Sequence, residues 1–354
     1  METQIVLELP SGPGNPRNSE GSFFATGDNQ LHYLYTRYNG TGCEDHAAAD
    51  LVMRTSADNG KTWDSADRVV VRNDAMNVMS VSVLRLQDGR LALVYVRKQA
   101  ATDFFCDCRP VIRFSTDEAK TWSDPQYCIH IPGYFVVNND RLVQLSTGRL
   151  LLPTALHRYR DDGTLDSRGI VFFYYSDDAG ATWREAPEWI LPPQSAQTGL
   201  QEPGVVELSD GRLMAWMRTD QGCQYKAFSV DGGLHWSSAI PAPEFPSSTS
   251  PLSLKRHSGN RMLYAVWNDY SPYWRQQRLD SSWGRTPLVM ACSSTDGATW
   301  HSQLKLEDDP ACGYCYIAMY FTADALLLGY CCGGQGTEVL QDSRLRRISL
   351  VLHN

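Results

Sequence analysis

The sequence predicts an all-β fold: a six-bladed β-propeller with four-stranded antiparallel blades, running as a single domain over residues 1–354. Three observations predict it. An octapeptide recurs five times, a second hairpin signal lies between its copies, and long helical periodicity is missing throughout.

The octapeptide reads Ser-x-Asp-x-Gly-x-Thr-Trp. It first occurs as Ser56-Ala57-Asp58-Asn59-Gly60-Lys61-Thr62-Trp63. It returns from Ser115 to Trp122 with Ala119 in place of Gly, from Ser176 to Trp183, and from Ser229 to Trp236 with His235 in place of Thr. A degenerate fifth copy runs from Ser293 to Trp300, with Asp296 one place late. The terminal Trp residues are separated by 59, 61, 53 and 64 positions. Locally the pattern is a hairpin turn. Short Ser and Asp side chains bond nearby amides, Gly takes positive φ, and the Trp covers the turn.

Between the copies lie further turns: Asp88-Gly89-Arg90-Leu91, Thr147-Gly148-Arg149-Leu150, Asp210-Gly211-Arg212-Leu213 and, more loosely, Ser258-Gly259-Asn260. Strand-like runs such as Val111-Ile112-Arg113-Phe114 connect them. Each unit therefore reads as four short strands. A chain of 354 residues holds six units of about 60. The octapeptides belong on outer hairpins as structural staples and say nothing of activity.

Composition bounds the function. Hydrophobic residues make up 42%, aromatics 11% and charged residues 20%, and the formal net charge is −8. No basic stripe and no apolar run of about 18 residues is present, so neither nucleic acid nor a membrane is an expected partner. A net negative chain that takes an anionic ligand has to concentrate positive charge locally. The ten Cys are scattered, and even Cys106-Asp107-Cys108 lacks a second pair at zinc spacing. Buried free thiols are expected, with no metal and no cofactor. Residues 1–16 lack the features of a secretory leader, which predicts a cytoplasmic protein, or a secreted or periplasmic one whose leader has been removed. Oligomeric state is left open.

In a propeller the ligand site lies at one mouth of the axis. Superposing the units places inner-strand starts near Arg17, Asn77, Asn138, Glu202, Ser250 and Tyr314. The second strands then end near Arg37, Arg97, His157, Arg218, Asn268 and Cys331. Polar residues that interrupt apolar segments need a reason, because an unpartnered buried charge is costly.

The segment from Gln201-Glu202-Pro203-Gly204 through Asp210-Gly211-Arg212-Leu213 to Met217-Arg218 resembles the fourth-blade stretch of exo-sialidases. The five octapeptides (Asp-boxes in that family) extend the resemblance over essentially the whole chain. It implies three arginines on a substrate carboxylate, a Tyr nucleophile paired with a Glu, and an Asp acid/base. Carried over, the arginines are Arg17, Arg218 and Arg285, the pair is Tyr314 with Glu202, and the acid/base is Asp45, with Glu44 a weaker competitor. Where the family has Arg-Ile-Pro, this chain reads Arg17-Asn18-Ser19-Glu20; where it tends to Tyr-Ser, this chain has Tyr314-Cys315. Arg37, Arg97, Asn77, Asn138, Asn139 and His157 are candidate contacts to the rest of the substrate.

The chemistry suits these residue types. Arginine meets a carboxylate with two parallel hydrogen bonds, each worth roughly 1.5–3 kcal/mol before desolvation. Sialidases stand apart from most retaining glycosidases in attacking with a Tyr, and a neutral phenol avoids repulsion by the carboxylate on the anomeric carbon. The resemblance thus implies a retaining exo-glycosidase acting on a glycan that ends in an acidic sugar. The general acid is expected to have a raised pKa. A uronide hydrolase and a non-catalytic sialic-acid-binding propeller are the alternatives.

Overall fold

The structure, a computed structural model, describes residues 2–100, 106–334 and 336–350. It is all-β apart from two single-turn 3-10 helices at Pro272–Trp274 and Asp280–Ser282. Among the described residues, no helix is long and apolar enough to cross a membrane.

Four of the five sheets have four antiparallel strands. One contains Asn18–Ala25, Leu31–Tyr38, Ala49–Ser56 and Arg68–Val71 in order; another contains Gln201–Glu207, Leu213–Arg218, Cys223–Ser229 and Ile240–Pro246. A third runs Ser253–Arg256, Leu263–Asn268, Leu288–Ser293 and His301–Glu307. In the last, Cys315–Phe321, Ala325–Cys331 and Ser343–Ser349 are completed by Thr3–Leu9 from the other end of the chain. That pairing ties the two ends of the chain together.

The remaining sheet has nine strands, where the sequence predicts two sheets of four. It consists of two antiparallel groups joined at one parallel pair, Tyr134 opposite Cys108. The short strand Tyr134–Val136 leans on Cys106–Ser115 as well as on its own partner Leu150–His157, and so fuses the two groups.

The inner strands pack side by side around an axis. Asn18–Ala25 lies between Asn77–Arg85 and Cys315–Phe321, and Ser253–Arg256 between Gln201–Glu207 and Cys315–Phe321; Leu150–His157, a second strand, also packs against Gln201–Glu207. Asp140 ties this ring internally. Its carboxylate accepts from Lys255 Nζ at 2.9 Å, the Met319 amide at 3.0 Å and Ser22 Oγ at 3.3 Å. Apolar cores fill the spaces between neighbouring sheets, such as the cluster that joins Phe24, Leu34 and Leu51 to Val78, Leu91 and Leu93. Middle strands are thus covered on both faces, which is why Leu31–Tyr38 reads as a run rather than an alternation.

The octapeptides fold as expected. Ser56 Oγ accepts from the Gly60 amide at 2.9 Å, and Asp58 accepts from both the Thr62 amide and its hydroxyl. In the degenerate copy Thr295 stands in for Asp, and the displaced Asp296 reaches across to Arg256 and Ser209.

Candidate active site

In four inner strands the ladder skips residues and leaves one in the left-handed region. Glu20 (φ 45°) falls between the paired Ser19 and Ser22, and Ser80 (φ 61°) between Met79 and Ser82. Glu202 (φ 49°) lies between Gln201 and Gly204, and Tyr316 (φ 58°) between Cys315 and Ala318. A bulge of this kind re-aims a side chain, and all four line one cavity of about 500 Å³. Gly204 makes room at its bulge: a Cβ there would sit 2.1 Å from the Trp216 ring.

The three arginines expected to act together line that same cavity. Arg17, just ahead of its strand, is almost fully buried. Its Nη1 donates to Asp45 Oδ1 at 2.7 Å and to the Cys43 carbonyl at 3.1 Å, and its Nη2 donates to Ser19 Oγ at 3.3 Å. Arg218 ends Leu213–Arg218 and lies 2.8 Å from Glu202 Oε1. Arg285, buried in the loop before Leu288–Ser293, donates to Cys315 Sγ at 2.9 Å and has no carboxylate within salt-bridge distance among the described residues. Burial opposes its charge, yet Cys315, Tyr316 and Glu202 together hold it firmly protonated.

Tyr316, not Tyr314, is the partner of Glu202. The Tyr316 hydroxyl donates to Glu202 Oε1 at 3.0 Å, while Glu202 Oε2 is buried without a partner among the described residues. Tyr314 precedes the strand, packs edge-on against Tyr330 in an apolar cluster, and does not reach the cavity. The bulge is the reason for the two-residue difference. Aligning Cys315-Tyr316 with Gln201-Glu202, rather than Tyr314 with Glu202, was the signal that could have found it.

Burial raises the Glu202 carboxyl, but Arg218, Arg285 and the Tyr316 hydroxyl outweigh it and hold it below its ordinary value. Burial and then Glu202 push the Tyr316 phenol well up. Asp45 departs from expectation. Desolvation by the surrounding protein pushes it up although more than half of its side chain is exposed, but Arg17 and then Lys98 dominate and bring it down to about 2. The raised carboxyl is instead that of Glu20, which burial lifts to about 7 against the pull of Arg17. Glu20 Oε1 accepts from Ser80 Oγ at 2.9 Å, and Oε2 lies 3.8 Å from Arg17.

Of the other candidates, Asn138 and His157 line the cavity, as does Glu44. Asn138 Nδ2 has no partner among the described residues. His157 shares its Nδ1 with the Asp166 carbonyl, and burial lowers its pKa. Arg37, Arg97 and Asn77 are not on the cavity wall. Arg37 faces Asp67 at 3.4 Å, and Arg97 bonds Asp74, Gln99 and the Tyr127 hydroxyl. Lys98 lines the cavity in place of Arg97, its Nζ donating to the Asp45 carbonyl at 2.7 Å; a one-residue step along a strand changes face. Asn77 braces the loop carrying Asp45, its Nδ2 donating to the Ala47 carbonyl at 2.6 Å. Asn139 likewise donates to the Gly21 and Tyr316 carbonyls. Half-exposed Trp283, which the sequence did not mark, adds an apolar wall with its ring 5.5 Å from the Arg285 guanidinium.

Among the described residues, no group of three or more His, Cys, Asp or Glu could hold a metal ion. The ten thiols are unbridged and mostly buried.

Fold and cavity define a repeat-built all-β protein that gathers arginines and carboxylates at one site. The chain matches the BNR repeat-like domain family over residues 23–328 and belongs to that family, as a member of the sialidase-like superfamily. It is 30% identical to the anhydrosialidase of Macrobdella decora over 138 residues, which is 37% of this chain and 16% of that protein. Its fold is similar to that of a protein of unknown function from Dyadobacter fermentans, with a TM-score of 0.75 and 18% identity, over 98% of this chain and 99% of that one. It is also similar to that of the intramolecular trans-sialidase from Ruminococcus gnavus, with a TM-score of 0.70 and 15% identity over 95% of each chain. The matches span only 37% of the length of the sialidases of Bacteroides fragilis and Micromonospora viridifaciens, and 16% of the Macrobdella decora protein.

Proposed function

We propose that this chain is a retaining exo-glycosidase that releases a terminal sialic acid, or a close 2-keto-3-deoxy sugar acid, from a glycan. One observation carries the proposal: Arg17, Arg218 and Arg285 share a single cavity with the hydrogen-bonded Tyr316–Glu202 pair. Three guanidiniums suit a carboxylate, and Arg285 in particular has no acidic partner to lose among the described residues. We count six blades, taking the nine-stranded sheet as two joined at Tyr134 and Cys108.

Tyr316 Oη attacks the anomeric carbon while Glu202 takes its proton; their 3.0 Å separation is within proton-transfer reach. Asp45 protonates the leaving oxygen. In the ion pair with Arg17 it is too acidic for that task, but a substrate carboxylate competes for the same guanidinium. Losing that partner frees Asp45 to rise, so substrate binding arms the acid. Water then displaces Tyr316 with Asp45 as base, and two inversions give retention.

The test is incubation with fluorogenic α-linked N-acetylneuraminate, its deaminated analogue and a uronide, with the released sugar analysed for free and anhydro forms. Release from either of the first two supports the proposal. Cleavage of the uronide alone moves the substrate class, and binding of N-acetylneuraminate without turnover makes the chain a binding protein.

A further inference from the structure

Behind the cavity lies a pair of cysteines that the proposed reaction does not use. Cys315 and Cys331 are direct partners on neighbouring antiparallel strands, and both are completely buried. Directly opposed residues in such a ladder have Cα atoms about 4.5–5.5 Å apart, inside the window a disulfide requires. Each thiol also touches the support of one arginine. Cys315 Sγ is the acceptor for Arg285 Nη1, and Cys331 Sγ lies 3.4 Å from Ser19 Oγ, which accepts from Arg17 Nη2.

We propose that Cys315 and Cys331 form a reversible disulfide, and that closing it loosens Arg285 and Arg17. A peroxide is the oxidant. The Cys331 thiolate attacks the peroxide oxygen, giving a sulfenic acid and water; Cys315 then attacks that sulfur, forming the S–S bond and releasing a second water. Two thiols and one hydrogen peroxide thus become one disulfide and two waters. The setting favours Cys331 as the attacking group. Its interaction with Cys315, against burial and helped by Ser19 and Arg17, holds its thiol below the ordinary range. On the cavity wall, Arg285 bonds Cys315, and Glu20 accepts from Ser19, whose hydroxyl meets Cys331, so a small oxidant in the cavity meets the pair after local opening. Once bridged, Cys315 no longer offers Arg285 a thiol acceptor, and Cys331 is drawn from Ser19.

The effect on the arginines rests on the proposed carboxylate grip, whereas the bond itself does not. The folded protein is treated with hydrogen peroxide, then digested without reduction for mass spectrometry, alongside Cys331→Ser and Cys332→Ser. The expected result is a Cys315–Cys331 cross-link, two hydrogens lighter, in wild type and Cys332→Ser, absent from Cys331→Ser and reversed by dithiothreitol. Calorimetry with N-acetylneuraminic acid should show binding weakened at least threefold on oxidation and restored on reduction. A missing cross-link, or one made to another cysteine, overturns the proposal. A cross-link with unchanged affinity overturns the coupling to the arginines. Absence of binding in both redox states counts against the substrate instead, leaving the mass result to judge the bond.

Discussion

The Tyr316 hydroxyl donates to Glu202 across 3.0 Å, although 114 positions separate the two residues in the chain. Each sits at a bulge with positive φ, at matching places on inner strands of different sheets. The same backbone device delivers both members of the pair.

Tyr316→Phe should lower kcat by at least about 100-fold, the lower range for losing a positioned proton-transferring group. Tyr314→Phe should leave kcat within about threefold, because that ring lies in an apolar cluster away from the cavity. Steady-state kinetics on both variants check this; equal losses would restore Tyr314 to the site.

Arg285→Lys keeps a positive charge but removes the planar fork. Losing one charge-assisted bond of roughly 1.5–3 kcal/mol corresponds to a KM raised about 10- to 150-fold. The rise should be absent with a substrate lacking the carboxylate.

Glu20 makes stability depend on pH. Its carboxyl is raised from the ordinary 4.5 to about 7, so the folded state binds the proton more tightly than the unfolded state. The stability it contributes is fully present below about 4.5 and is lost as pH rises through about 7. Relative to wild type, Glu20→Gln should therefore gain roughly 2 kcal/mol or more between pH 5 and pH 8, at about 1.4 kcal/mol per unit. Denaturant melts at the two pH values measure this difference, and a constant offset would remove Glu20 as the cause.

Gly180 occupies the turn of the third octapeptide at φ 90°, and a Cβ there would lie 2.6 Å from Phe114 Cζ. Gly180→Ala should cost roughly 2–4 kcal/mol, combining left-handed strain with overpacking. In the second octapeptide Ala119 already takes the left-handed conformation and packs in the core. A thermal melt of Gly180→Ala within a degree of wild type would show that the turn relaxes freely.

Much of this protein was legible in its residues alone. The octapeptide is a local hydrogen-bonding unit, so its five copies announced their hairpins and their spacing. Glu202 and Arg218 stood out through a nearly intact family-like segment, whereas Arg17, Arg285 and Asp45 followed from the family resemblance, Arg17 despite an altered motif. Their convergence on one cavity was an expectation until the sheets were in place.

Other features were settled only by the assembled chain. Side chains alternate along a strand, and a bulge resets that alternation without leaving a mark in composition. Hence Tyr316 displaced Tyr314, and Lys98 displaced Arg97. Burial and neighbouring charge decided which carboxyl holds a proton, raising Glu20 and depressing Asp45. Both depend on residues far apart in the chain, and on desolvation that local sequence does not encode.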